Sequence, residues 1–83
     1  MLHVVVVWPK PGVTFDKVEQ RMKESIHSMY RLTPTAWVVC SQHDHVFWSE
    51  QLKSFGNVFV SALYQNDGWM PETFWSWLRE HSE

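Results

Sequence analysis

His3–Gly12, written HVVVVWPKPG, is the stretch on which the fold of this chain turns. Leu2 to Trp8 is a β-branched run with Val4 to Val7 unbroken at its centre, bounded by Pro9, Pro11 and Gly12. Branched side chains suit the pleated strand, and a continuous apolar run marks a central strand buried on both faces. The prolines that follow can neither extend a sheet nor open a helix early. Just beyond them, Thr14 suits a helix N-cap, and Asp16 falls in the first turn, where the helix dipole favours an acid. Phe15, Val18, Met22, Ile26 and Met29 then recur at spacings of three and four, which predicts an amphipathic helix of about four turns.

Ser28 to Leu32 and Ala36 to Cys40 are β-prone pieces on either side of Thr33-Pro34-Thr35, the pattern of a hairpin. The alternative keeps only Ala36 to Cys40 as a strand. Ser41 and Asp44 are spaced like a capping box ahead of a second helix, whose stripe is Trp48, Leu52 and Phe55 and whose end is Gly56. Asn57 to Tyr64 reads as the last strand, with Val58, Val60, Ala62 and Tyr64 on one face and Phe59 and Leu63 on the other. After an Asn66-Asp67-Gly68 turn, a final helix begins near Pro71, with Glu72 beside it. Its Phe74, Trp77 and Leu78 share a side while Trp75 lies well round it, an apolar arc of about 160° that one small sheet does not cover. The order is βαββαβ plus a helix, the split βαβ plan of an α+β, ferredoxin-like sandwich. Without the middle hairpin, the fallback is a three-stranded βαβαβα open sheet.

Eighty-three residues make a single domain. Cys40 is the only cysteine, so there is no intrachain disulfide and no zinc finger. With no basic leader and no bilayer-length apolar run, the expectation is a cytoplasmic protein with no membrane partner. Seven Lys and Arg stand against nine Asp and Glu. Lys17, Arg21 and Lys23 cluster, but Glu19 and Glu24 interleave with them, as on a solvated helix face rather than a phosphate-binding stripe.

His43, Asp44 and His45 are the candidate metal ligands. At the start of a helix their side chains point apart, so they read first as cap and first-turn residues. Cys40 ends an apolar strand, where an inert thiol is usual. No G-x-S-x-G elbow and no glycine-rich phosphate loop occurs, and Asp16, Glu19 and Glu24 read as solubilising charge. No catalytic residue and no cofactor is assigned. Six tryptophans are more than a core this size hides. Trp48, Trp69, Trp75 and Trp77, with Arg79, therefore form the candidate partner-binding surface, drawn from elements placed together at one end of the sheet. The expected occupant is a protein, foreign or a second copy in a homodimer. Nucleic acid is less favoured, because base-stacking sites pair their rings with a cationic groove.

Four stretches carry a family resemblance: the strand before Lys10-Pro11-Gly12, the Pro34-Thr35-Ala36-Trp37-Val38-Val39 strand, Asn57 to Tyr64, and Gly68-Trp69-Met70-Pro71 leading into Trp75-Ser76-Trp77-Leu78. Over nearly its full length the chain resembles the small SinR-like proteins, relatives of the CRISPR-associated endoribonuclease-like and VapD-like ferredoxin folds. The resemblance implies a homodimer and, for the nucleases of that group, an aspartate at the end of the first strand. Counting back from Lys10, that position falls on Val7 or its neighbours, and no acid precedes Asp16. The leading expectation is a non-catalytic protein-binding module, of the kind phages and mobile elements use to inhibit a host defence protein. The alternative is a nucleic-acid-binding protein or metal-dependent nuclease, with a displaced site among Asp16, His43, Asp44 and His45.

Overall fold

The computed structural model describes residues 1–63 and 65–81. In chain order come β1 (Leu2–Pro9), α1 (Phe15–Lys23), β2 (Ser28–Thr33), β3 (Ala36–Cys40), α2 (His45–Leu52), β4 (Gly56–Ala62) and α3 (Glu72–His81), with a 3-10 turn at Lys53–Phe55. The strands form one antiparallel sheet in the order β2-β3-β1-β4. This is the ferredoxin-like arrangement with an added C-terminal helix. The β2–β3 hairpin is present, which removes the three-stranded alternative.

The valine run lies at the centre of the sheet, with Val5 opposite Trp37 of β3 on one side and Val60 of β4 on the other. Strand alternation sends successive side chains to opposite faces. Val5 and Val7 point into a layer with Val18 and Met22 of α1, Trp37 and Val39 of β3, and Trp48 and Leu52 of α2, all fully buried. On the other face, Phe74 and Leu78 of α3 pack on Val38, with Leu2, Val4, Tyr30 and Leu32 around them. The molecule is thus three layers: a helix pair, the sheet, and a single helix.

Several boundaries differ from those the sequence predicts. α1 stops at Lys23, and Met29 belongs to β2, opposite Val39, from where it packs on the same core. The three-and-four spacing ran across a helix–strand junction, and ladder pairing with β3 outweighed a further helical turn. Asp44, not Ser41, caps α2, its Oδ1 accepting from the Phe47 amide at 2.9 Å. Ser41 is instead buried, and its Oγ accepts from the Trp48 indole at 3.3 Å and from the His43 amide at 3.1 Å. α2 ends at Leu52, leaving Phe55 in the 3-10 turn and Gly56 as the first residue of β4. α3 begins one residue after Pro71, whose carbonyl accepts from the Phe74 amide. Thr14 caps α1 as expected, accepting from the Lys17 amide. Tyr64, assigned by sequence to the last strand, lies outside the described residues.

Glu19 does more than solubilise. Its Oε1 accepts from the Trp37 indole at 3.0 Å and lies 3.8 Å from the Arg31 guanidinium, which in turn sits 5.4 Å from the Trp37 ring centroid. α1, β2 and β3 are tied together there by one carboxylate.

Candidate functional site

The tryptophans singled out by sequence do not form one surface. Trp48 is fully buried beneath the helix pair, its indole satisfied by Ser41. Trp75 and Trp77 lie on the opposite side of the sheet, both half-buried in the α3 layer. Trp77 donates to Ser28 Oγ at 3.1 Å, and Trp75 donates to the Met70 carbonyl at 3.1 Å. Trp48 is therefore withdrawn from the candidate surface, because the α2 stripe that predicted a buried helix face claims it for the core. Trp69, in the segment leading to α3, is fully exposed. Arg79 is also at the surface, but its Nη2 is 2.7 Å from Glu72 Oε1 and 3.3 Å from Ser76 Oγ. That pairing holds the Glu72 carboxyl below its ordinary pKa, through the hydrogen bond from Arg79 first and its charge second.

Two residues that sequence reading left out supply the largest exposed aromatic surface of the sheet. Trp8 is 54 % exposed and Phe59 is 60 % exposed. Val6 pairs with Phe59 and Trp8 with Asn57, so both rings stand on the sheet face that carries α3, in diagonal positions on neighbouring strands. Their exposure follows from size. A ten-residue helix is about 15 Å long and about 10 Å wide. The eight-residue β1 alone runs about 26 Å, and four strands span roughly 19 Å. α3 covers the part of the face around Val38, and Trp8 and Phe59 remain outside its cluster. The signal was in the sequence: a last strand apolar on both faces, with only one short helix left to cover the second.

The polar candidates separate as well. His43 stacks on Phe47, with ring centroids 3.6 Å apart, and Asp44 is committed to its cap. His45 turns instead towards His3 of β1, with ring centroids 6.5 Å apart. Register places Leu2 opposite Cys40, so α2 starts beside the beginning of β1, whereas Asp16 starts α1 beyond its far end. Asp16 and the His43–His45 group thus sit at opposite ends of the strand. Among the described residues, no group of three or more His, Cys, Asp and Glu could hold a metal ion.

His3 was the missed member of this group. It is buried, and its Nδ1 has no hydrogen-bond partner among the described residues. Burial lowers its pKa, the nearby His45 and Met1 ammonium lower it further, and Asp44 opposes them. The Met1 ammonium donates to the Ser41 carbonyl at 2.8 Å, so Ser41 joins the start of β1, the end of β3 and the start of α2. Of Val7 and its neighbours at the end of β1, Val7 is fully buried in the helix-covered core and Trp8 is exposed on the other face. A carboxylate at Val7 would be desolvated.

The fold defines the class: a ferredoxin-like βαββαβ domain whose open sheet face is partly covered by a terminal helix. No family model, no curated protein and no solved structure matches the chain. Among the described residues, no helix is long and apolar enough to cross a membrane.

Proposed function

We propose that this chain is a non-catalytic protein-binding module that docks a partner, foreign or its own copy, through exposed aromatic surface. One observation carries the reading: Trp8 and Phe59 stand exposed side by side on the part of the sheet that α3 leaves open. Large aromatic side chains desolvated at a contact dominate binding energy in protein interfaces. Trp69 extends the aromatic surface from the segment before α3. The charge pattern favours a protein over a nucleic acid. Of seven cations, Arg21, Lys23, Arg31, Lys53 and Arg79 each lie within ion-pair distance of a glutamate, and among the described residues only Lys10 and Lys17 have no such carboxylate. The small size and acidic balance match the character of phage or mobile-element proteins that block a host defence protein, and that is the partner class we assign.

The test is capture with the tagged chain from nuclease-treated lysate at high salt. The expected result is one stoichiometric protein, lost at least about tenfold when Trp8, Phe59 or Trp69 is changed to Ala while circular dichroism is unchanged. Recovery of nucleic acid alone, released by salt, overturns the reading. So does unchanged capture by all three variants.

A further inference from the structure

The two edges of the sheet are treated differently by the sequence. β2, at one edge, carries Arg31, a register shift between Arg31 and Thr33, and Pro34 directly after it. A charge, a bulge and a proline are the devices that keep an edge from pairing with another chain. β4, at the other edge, has none of them. From Gly56 to Asn66 there is no charged residue and no proline, and β4 pairs with β1 over seven residues without a register shift. Among the described residues, no further strand lies outside it.

The hydrogen-bonding direction of that edge can be read from its neighbours. The Leu63 amide donates to the Leu2 carbonyl, and the Lys10 amide donates to the Phe55 carbonyl. Odd-numbered residues of this segment thus bond inward to β1, and alternation turns the amides and carbonyls of Val58, Val60 and Ala62 outward. Asn57-Val58-Phe59-Val60-Ser61 is also self-complementary when reversed. In an antiparallel pair centred on Phe59, Val58 meets Val60 of the second copy, Asn57 meets Ser61, and Phe59 meets itself. The valines are the outward-bonding residues, so the ladder they form is the hydrogen-bonded one, and Phe59 sits at the closer, non-hydrogen-bonded position. A two-fold contact brings each axial residue against its own kind, so one charge on the axis would repel itself. This strand carries none.

We infer that β4 pairs with β4 of a second copy about a two-fold axis through Phe59, giving one continuous eight-stranded sheet. The inference rests on the binding-module reading and names the occupant of part of its surface. Both copies then present α3 and Trp8 on the same side of the joined sheet, with the two Phe59 rings between them.

Sedimentation of the whole chain tests this. Wild type at about 100 μM is expected at twice the 9.9 kDa chain mass, and Phe59→Asp at the single mass with unchanged circular dichroism. In a Cys40→Ser background, Phe59→Cys is expected to form a disulfide-linked dimer on mild oxidation, and Ser61→Cys is not. The cysteine result decides alone if Phe59→Asp fails to fold. A monomeric wild type overturns the inference, as does a dimer that ignores Phe59→Asp and leaves Phe59→Cys uncrosslinked. A monomer that still captures a foreign protein through Trp8 or Trp69 overturns this inference while sustaining the binding-module reading. An extended peptide bound along β4 of a monomer does the same.

Discussion

His3 shares its strand face with Val5 and Val7, and its Nδ1 has no hydrogen-bond partner among the described residues. Its pKa in the folded chain lies below the 6.5 of a free histidine, because burial, His45 and the Met1 ammonium disfavour the cation. The unfolded chain therefore binds more protons than the folded one between the lowered pKa and 6.5, and stability rises with pH across that window. It is complete above 6.5 and declines as the pH falls through the window towards the folded pKa. Thermal unfolding of wild type should show this slope, and His3→Leu should flatten it; equal slopes for the two would remove His3 as the cause. The tryptophans give a second residue-scale contrast. Trp48→Ala should cost about 3–5 kcal/mol in urea denaturation, since a fully buried indole and its bond to Ser41 are lost. Trp69→Ala should fall within about 0.5 kcal/mol of wild type, because the ring is in solvent. Composition gave the number of tryptophans but not this division. The division depends on which sheet face each element covers, and that is fixed by partners far along the chain.

At the scale of the element, caps and turns were more legible than lengths. Thr14 is a local signal and held its place. α1 is more than a turn shorter than its stripe predicts, because Met29 suits a helix stripe and a strand face equally and pairs with Val39 in the sheet. Ser41 and Asp44 are both good cap residues; the buried Trp48 indole drew Ser41 inward and left Asp44 to cap. Asp44→Ala should therefore destabilise the fold by about 1 kcal/mol, measured by chemical denaturation, with His43 and Phe47 losing their stacked geometry. β4 begins at a point of close approach. A Cβ on Gly56 would lie 2.1 Å from the Trp8 carbonyl oxygen, and the residue has φ of +155°. Gly56→Ala should cost on the order of 2–3 kcal/mol and increase hydrogen exchange where β1 and β4 join; ordinary exchange at Trp8 and Asn57 would count against this reading. The wide apolar arc on α3 is met in part by the sheet itself: Trp75 and Trp77 pack half-buried on the same cluster as Phe74 and Leu78, and Tyr30 of β2 contacts Phe74 edge-on at 5.2 Å and Trp77 at 5.9 Å.

For the whole molecule, the order of elements was enough to give the ferredoxin-like plan, because short connections leave few ways to assemble a split βαβ unit, and the β2–β3 hairpin decided against the three-stranded sheet. The exposed surface was not readable in the same way, since it is what remains after α3 has settled on a face larger than itself. If two copies join along β4, the thermal midpoint should rise with chain concentration, and Phe59→Asp should abolish that dependence. Equal midpoints over a hundredfold dilution, about 3 kcal/mol of mass action, would exclude dimerisation as a source of stability. The central position of β1 also has a consequence in time. Both of its partners follow it in the chain: β3 pairs along one edge, and the other edge waits for Val58 and Val60. At about 5–20 residues per second, translation leaves that valine-rich edge open for seconds while the chain is still on the ribosome. Until β4 is made, the valine-rich edge of β1 is a strand edge without its native partner, and a second nascent chain can take that place.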